Sequence, residues 1–376
     1  MEYKALKDIA KITMGQSPDS SSYNEIGDGL PFFQGNADFG EVYPNERVWC
    51  NEPKKIAEPD DILISVRAPI GALNYAKDKC CIGRGLAAIS IEDAVERNYV
   101  YHLLKARNSE LNNKGTGSTF KAIGKAVLEE LQVPQISHVE QQKCMDMMDL
   151  LELIMRAQKA ELNKLDELIK ARFVEMFGSM PQNEKGWKIG TIRDVVKDVH
   201  YGSSRKASDD GKYPYLRMNN ITDSGELDLT DIKRIDVPDN ELDKCTVRKG
   251  DVLFNRTNSK EHVGKTCVYN RDETMVLAGF VVRVRVNEKV IPEFLSAFLN
   301  TSFSKALLYN MCKAAIGQAN INAQELQSIA IYIPPVELQE EFSKFKDQVD
   351  KSKVAVQSAL DKAQLLFDSL MQQYFG

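Results

Sequence analysis

The sequence consists of two similar halves, and this internal duplication constrains the fold more than any other feature. Matching segments occur in the same order in both halves, and chance does not produce several weak matches in one order. At 376 residues the chain is long enough for two domains with cores of their own. The matched pairs are Pro31–Gly40 with Pro214–Gly225, Asp60–Gly71 with Gly250–Asn258, Val133–Lys143 with Ile333–Phe342, and Phe177–Gly178 with Phe375–Gly376.

Each half begins with a region of mixed secondary structure. Short apolar runs broken by Gly, Pro, Asn and Asp predict strands, and the stretches Asn98–Lys105 and Pro292–Leu299 predict short helices. We therefore expect the α+β fold class, with two similar mixed α/β domains. The runs predicted as strands are Ile62–Ile64, Ala87–Ile89, Val252–Phe254 and Val281–Val286.

Each half ends with a long segment whose apolar residues recur at alternating steps of three and four. This heptad pattern is typical of a coiled coil, so we expect two long helices that pair with each other. The alternative is two unrelated amphipathic helices, each packed on its own domain. The expected bounds are 1–138 and 181–335 for the mixed domains, and 139–180 and 336–376 for the helices. The residues expected in the helix-pair seam are Leu151, Leu162, Leu165, Ile169, Phe345, Val349, Val356, Leu366 and Leu370.

The charge distribution argues against a strongly basic nucleic-acid-binding domain. The net charge is −5; residues 1–138 carry 16 basic and 19 acidic side chains, and residues 179–335 carry 22 and 20. A stand-alone DNA-binding domain normally presents a strongly basic surface. If this chain binds DNA, we expect a partner to supply much of the attraction for the phosphates.

No motif indicates an active site, a metal site or a bound cofactor. The seven cysteines form no CxxC pair, which argues against zinc and favours reduced thiols in the cytoplasm. The segment Gly264–Thr266 resembles the end of a phosphate-binding loop, but Ser259 stands where the first glycine of that loop is required. No apolar run reaches the length of a membrane span and residues 1–30 contain no secretory apolar segment, so we expect a cytoplasmic protein.

Two short elements recur alongside the duplication, one around an Asp followed by Arg and one formed by Pro followed by Gln. They are Asp61 with Arg67, Asp251 with Arg256, Pro134 with Gln141, and Pro335 with Gln339. With these elements the chain resembles the DNA-specificity subunits of type I restriction–modification systems, over essentially its whole length. It departs from the family pattern at Cys80–Arg84, which matches Leu277–Gly279 poorly.

The resemblance implies two target-recognition domains joined by an antiparallel pair of coiled-coil helices that acts as a spacer, with a pseudo-twofold relation between the halves. It also implies a non-catalytic subunit that reads a bipartite, asymmetric site on double-stranded DNA. Two methyltransferase subunits and the restriction subunits would dock on it and carry the chemistry. The alternative is a non-enzymatic coiled-coil scaffold that presents two protein- or glycan-binding domains, which the neutral-to-acidic charge favours.

Base readout requires side chains with paired hydrogen-bonding groups on loops, Arg for guanine and Asn or Gln for adenine. For any single one of these residues, turn formation or an ordinary surface charge is the competing explanation. In the first domain the candidates are Gln34, Asn36, Arg67, Arg84 and Lys121, with Lys114 and Ser118 as further possible contacts. In the second domain they are Arg217, Asn219, Asn220, Arg256, Asn258, Lys260, Lys265, Gln318 and Asn320.

Overall fold

The computed structural model of the chain describes residues 2–117, 121–315 and 318–376, without the side chains of residues 313–315 and 318. It divides into two compact units. Unit 1 comprises residues 1–159 and 358–376, and unit 2 comprises residues 160–357. The division falls within the two long helices, so each unit contains the mixed domain of one half together with a stretch of both helices.

Both halves are built largely from short strands. In the first half they are β1 (Glu2–Ala5), β2 (Lys11–Met14), β3 (Tyr23–Asn24), β4 (Leu30–Phe33), β5 (Trp49–Cys50), β6 (Ile56–Ala57), β7 (Ile62–Ser65), β8 (Leu73–Tyr75), β9 (Cys80–Ile82), β10 (Leu86–Ser90) and β11 (Gln132–Gln135). In the second half they are β12 (Lys188–Thr191), β13 (Val196–Tyr201), β14 (Tyr213–Leu216), β15 (Lys233–Ile235), β16 (Thr246–Val247), β17 (Val252–Asn255), β18 (Thr257–Asn258), β19 (Thr266–Val268), β20 (Met275–Leu277), β21 (Val281–Val286), β22 (Lys313–Ala315), β23 (Gln318–Asn320) and β24 (Ala330–Ile333).

The helices follow the same repeated order, with one short helix found in the second half alone among the described residues. They are α1 (Ala94–Ala106), α2 (Asn108–Asn113), α3 (Lys125–Glu129), α4 (His138–Phe177), α5 (Asp239–Cys245), α6 (Pro292–Leu299), α7 (Ser302–Met311), α8 (Ala323–Gln327) and α9 (Val336–Phe375). The additional helix is α5. None of the described helices is both long and apolar enough to cross a membrane.

The two halves share one strand order, which confirms the predicted α+β duplication. The sheet β2–β10–β7–β8 in the first half corresponds to β13–β21–β17–β19 in the second, and the pair β1–β11 corresponds to β12–β24. A further sheet contains β4–β9–β6 in the first half and β14–β20–β16 in the second. Because β7 and β17 are central and fully buried, their sequences are continuous apolar runs rather than alternating ones.

The backbone register settles the correspondence around Cys80–Arg84, where the sequences of the two halves match poorly. In the parallel pair β4–β9, Phe33 lies opposite Ile82, and in the parallel pair β14–β20, Leu216 lies opposite Leu277. Ile82 and Leu277 therefore occupy the same place in their units. A strand ladder is held by main-chain hydrogen bonds, so the position persists although the side chains differ.

The repeated aspartate of the family element closes the turn before the central strand. In unit 1 the side chain of Asp61 accepts a hydrogen bond from the backbone N–H of Glu58 (2.9 Å), and in unit 2 Asp251 accepts one from Arg248 (2.9 Å). Asp251 also binds the guanidinium of Arg285 (2.7 Å). Both carboxylates are buried, at 6% and 1% exposure, so these residues hold the fold rather than contact a ligand.

The two long helices begin and end with recognisable signals. Helix α4 starts with a capping box, in which the Glu140 carboxylate accepts from the Ser137 N–H (3.0 Å) and Ser137 Oγ accepts from the Glu140 N–H (3.3 Å). It ends before Gly178, whose φ of 81° is the left-handed conformation common after a helix. The observed bounds, 138–177 and 336–375, compare with expected bounds of 139–180 and 336–376.

Within unit 2 the two long helices run antiparallel. The rings of Phe173 and Phe342 meet edge to face with centroids 5.3 Å apart, and Lys353 binds Asp166 (2.6 Å) farther along the pair. The helix ends also enter the domain core, where Phe177 packs against Phe294 of α6 (5.0 Å). Within unit 1, α9 contacts α1, because the rings of Phe375 and Tyr99 lie 5.0 Å apart. The C-terminal end of each long helix thus packs on the mixed domain of the opposite half.

The burial of the nine seam residues follows the heptad pattern except at one position. Leu151, Val349 and Leu370 are buried, and Leu162, Leu165, Ile169, Phe345 and Val356 are partly buried. Leu366 is 52% exposed, whereas its neighbour Phe367 is 7% exposed. The prediction for Leu366 is wrong, because here α9 faces the first-half domain, where the Phe367 ring lies under the Lys105 ammonium (5.7 Å).

Candidate nucleic-acid interface

Four of the first-domain candidates lie together at the ends of neighbouring strands of unit 1. We call Gln34, Arg67, Arg84 and Lys121 the first rim. Main-chain hydrogen bonds connect their segments: Gly85 N–H to the Gln34 carbonyl (3.1 Å), Val66 N–H to the Gly85 carbonyl (2.9 Å), and Ala68 N–H to the Lys121 carbonyl (3.0 Å). All four side chains of the first rim are exposed. The fold therefore gathers residues that are far apart in the sequence into one polar surface.

The loop after β2 adds residues to the first rim that sequence reasoning missed. The Ser17 hydroxyl oxygen accepts hydrogen bonds from the Gln34 amide (3.2 Å) and from the Arg84 N–H (3.3 Å), and the neighbouring Gln16 is exposed. A signal was present, because Met14–Ser17 and Tyr201–Ser204 share a Gly and a Ser at the same spacing.

The repeated glycine of that loop permits a close approach of two backbone segments. A Cβ on Gly15 would lie 2.1 Å from the Gly83 carbonyl oxygen, and one on Gly202 would lie 2.3 Å from the Leu277 carbonyl oxygen. Contacts this short exclude a side chain, so only glycine fits at either position.

The remaining first-domain candidates lie beside the first rim or are engaged elsewhere. Asn36 is half-buried and begins a short 3-10 helix, Asn36–Asp38. The Asp38 carboxylate accepts from the Gln34 N–H (2.7 Å) and from Arg47 (2.7 Å), which places Arg47, a residue not predicted, next to this loop. Lys114 pairs with Glu110 (2.7 Å). Ser118 lies outside the described residues.

Unit 2 presents the same backbone frame with different side chains. The bond from the Arg256 N–H to the Phe280 carbonyl (3.0 Å) corresponds to that from Val66 to Gly85 (2.9 Å). The bond from the Ile321 N–H to the Arg256 carbonyl (2.9 Å) corresponds to that from Ile123 to Val66 (2.9 Å). Arg256 therefore stands in the place of Val66, and Thr257 in the place of Arg67. The sequence match of Arg67 with Arg256 is wrong by one residue.

The loop after β14 contains one candidate that cannot contact DNA in this structure. Asn220 is 2% exposed, its amide donates to the Asp228 carbonyl (2.8 Å), and its amide oxygen accepts from the Arg217 N–H (2.9 Å). The prediction for Asn220 is wrong, because its amide satisfies buried main-chain groups of the turn. Arg217 is 26% exposed and pairs with Asp231 (2.7 Å), and Asn219 is exposed.

The two candidate lysines of the 260–265 loop are both held by neighbours. Lys265 is 15% exposed and its ammonium lies 3.2 Å from the Asp223 carboxylate, which also binds His262 (2.9 Å). Burial disfavours the ionised form of Asp223, but hydrogen bonds from His262 and Lys265 outweigh it and lower the pKa of this carboxyl. Lys260 lies over the Tyr309 ring, 4.0 Å from its centroid. The charge of Lys265 is thus largely compensated.

The other second-domain candidates surround Arg256. We call Arg256, Asn219, Asn258 and Asn320 the second rim. The Arg256 guanidinium lies over the Tyr201 ring, 4.8 Å from its centroid. The Asn258 amide oxygen accepts from the Ser259 N–H (2.8 Å), and Asn320, opposite Thr257 in the strand pair, is exposed. Gln318 belongs to β23, and its side chain lies outside the described part of the chain.

Among the described residues, no three or more His, Cys, Asp and Glu side chains form a group that could hold a metal ion. All seven cysteines are buried thiols. Burial raises the pKa of the Cys80 thiol to about 12, so this group stays neutral and unreactive at ordinary pH.

Comparison with known proteins identifies relatives for both halves. The family described as type I restriction modification DNA specificity domain matches residues 1–166 and 184–363. The putative type I restriction enzyme MjaX specificity subunit of Methanocaldococcus jannaschii is 48% identical over 136 residues, covering 36% of this chain and 32% of that protein. The EcoKI specificity subunit of Escherichia coli is 21% identical over 352 residues, covering 86% of this chain and 75% of that protein.

A solved structure supports the fold over the whole length. The S subunit of a type I restriction-modification system from M. genitalium has a TM-score of 0.56 and 14% identity, and the match covers 100% of this chain and 96% of that one. At this identity the likeness supports the fold alone. The match to the M. jannaschii relative spans about a third of that protein's length.

Proposed function

Because the chain belongs to the type I restriction modification DNA specificity family, we propose that it is the sequence-reading subunit of such an enzyme. In this role it reads a bipartite, asymmetric site on double-stranded DNA, one half-site with each rim. The observation that carries the proposal is the pair of rims, which share a backbone frame and differ in side chains. A shared frame with different side chains suits two half-sites of related geometry and different sequence.

The exposed side chains of the rims have the chemistry that base readout requires. Gln34 and Gln16 can each pair with adenine, and Arg84 can present two N–H groups to guanine. In unit 2 the groups of this chemistry are the partly buried Arg256 and the exposed Asn219 and Asn320. Arg67 and Lys121 are suited to the phosphates, which position a protein without selecting a sequence.

We assign no catalytic role to this chain. Adenine methylation and ATP-driven cleavage belong, in this proposal, to two methyltransferase subunits and to restriction subunits that assemble with it. The overall charge of −5 is consistent with such a division, since a partner would then supply much of the phosphate attraction.

The test is a map of methylated adenine across the genome of the source cell, with and without this gene. We expect one split motif, two short blocks with a fixed gap, to lose its methylation when the gene is deleted. Re-expression of the chain should restore the same motif. An unchanged map in cells that express the methyltransferase subunits would contradict the proposal and favour the scaffold alternative.

A further inference from the structure

Arg256 has no carboxylate partner among the described residues, in contrast to Arg217 and Arg205 of the same unit. Arg217 binds Asp231 (2.7 Å), and Arg205 binds Glu241 (2.8 Å). An arginine neutralised in this way must give up its partner before it can bind an acceptor on DNA. The guanidinium of Arg256 needs no such exchange.

The main chain and the stem of Arg256 are fixed in place. Its N–H donates to the Phe280 carbonyl (3.0 Å) and its carbonyl accepts from the Ile321 N–H (2.9 Å). Its Nε is buried without a hydrogen-bond partner, and Nη1 makes one long contact with the Gly279 carbonyl (3.5 Å). The remaining N–H groups of the guanidinium are therefore the ones open to an external acceptor.

The ring of Tyr201 orients that guanidinium. The two groups are 4.8 Å apart, a stacking distance at which the ring attracts the cation and restricts its plane. Tyr201 is itself fixed, because its hydroxyl oxygen accepts from the Ala323 N–H (2.9 Å) at the start of α8. The side chain of Phe280, on the same edge, is 51% exposed.

A fixed, planar guanidinium recognises a pair of adjacent acceptors. On duplex DNA two groups offer such a pair, the O6 and N7 atoms of guanine in the major groove and the oxygens of a phosphate. A phosphate contact does not require the plane to be fixed, whereas discrimination of a base edge does. We propose that Arg256 reads a guanine in the second half-site and that Tyr201 is its positioning residue. This inference rests on the proposed function in DNA recognition.

The experiment uses the full chain assembled with its methyltransferase subunits and a DNA library in which each base pair of the methylated motif is varied. Arg256→Ala should lower the preference for guanine about ten- to a hundredfold at one position of one block, leaving the other block unchanged. Arg256→Lys should keep part of the preference. Tyr201→Ala should weaken it at the same position, and Tyr201→Phe, which keeps the ring, should retain most of it.

The matched control is Arg205→Ala, which removes an exposed arginine of the same unit that is already paired with Glu241. It should leave every base preference unchanged. If a variant keeps its base preferences in the other block of the methylated motif, the variant is folded. Uniform weakening over all sequences in both Arg256 variants, with a shallower salt dependence, would assign Arg256 to a phosphate and overturn the inference. If the wild-type complex selects no bases in either block, the proposed function itself fails.

Discussion

Asp60 and Gly250 occupy the same turn position before the central strand of their units, and both have left-handed backbones, with φ of 66° and 90°. An L-residue in this conformation costs about 1 kcal/mol or more relative to glycine. Gly250→Ala should therefore lower the free energy of unfolding by about 1 kcal/mol, although a Cβ there would meet no atom within 4 Å. Chemical denaturation measures the change.

The matched control for that prediction is Gly35→Ala. A Cβ on Gly35 would also meet nothing within 4 Å, but the backbone φ is −174°, which any residue adopts. Its effect on stability should be a few tenths of a kcal/mol at most. Equal losses in the two variants would show that backbone strain is not the cause.

Gln339 anchors the start of α9 to the segment before α6. The side chain is fully buried; its oxygen accepts from the Ile291 N–H (2.9 Å), and its amide donates to the carbonyls of Lys289 (3.0 Å) and Pro334 (2.8 Å). Gln339→Ala leaves these main-chain groups unsatisfied, so we expect a loss of about 2–3 kcal/mol in unfolding free energy. Gln348→Ala, at an exposed position of the same helix, should change it by less than about 0.5 kcal/mol.

Arg283 lies in the interior of unit 2 at 2% exposure, where it binds Asp198 (2.8 Å) and the Asp243 carbonyl (3.0 Å). Arg283→Met should destabilise the chain by about 3 kcal/mol, because it removes the guanidinium from Asp198 and takes this donor away from the carbonyls of Asp243 and Thr246. We expect the lower end of the usual range, since Asp198 keeps His200 at 2.6 Å. Thermal melting of Arg283→Met against the exposed Arg193→Met tests this, and similar melting temperatures would contradict it.

Because Lys305 is buried, we expect the free energy of unfolding to rise at alkaline pH. Burial lowers its pKa to about 8, below the value near 10.4 in an unfolded chain. Between these values the unfolded state binds more protons than the folded state, so stability rises with pH; below pH 8 the cost of the buried charge is constant. Wild type should therefore gain stability relative to Lys305→Met from pH 8 to pH 10. A stability difference that does not change with pH would contradict this assignment.

The two rims predict that the half-sites can be altered separately. Gln34→Ala combined with Arg84→Ala should relax base selection in one block of the methylated motif about tenfold or more, because both groups belong to unit 1. Asn219→Ala combined with Asn320→Ala, two exposed members of the second rim, should relax the other block alone. Methylation of a library of substituted targets gives both results, and equal losses in both blocks would mean that these residues serve folding.

The sequence predicts the location of the candidate DNA-binding surface better than it predicts which single residues belong to that surface. The chemistry of four residues on predicted loops marks them as candidates, and the fold places them side by side: Gln34, Arg67, Arg84 and Lys121. Asn220 had the same chemistry but is buried, because the amide that can read adenine can equally satisfy a turn. Residue type alone does not distinguish these two uses.

The α+β class, the duplication and the two long helices can be predicted from the sequence. These follow from local periodicity and from the order of repeated segments, both of which are properties of the chain read in one direction. Which arginines are paired with a carboxylate and which are not depends on the tertiary structure. Tyr201 meets Arg256, and Asp231 meets Arg217, only because strand pairing brings distant segments together. The register of those strands is set by main-chain hydrogen bonds and burial across the whole unit, which no local pattern encodes.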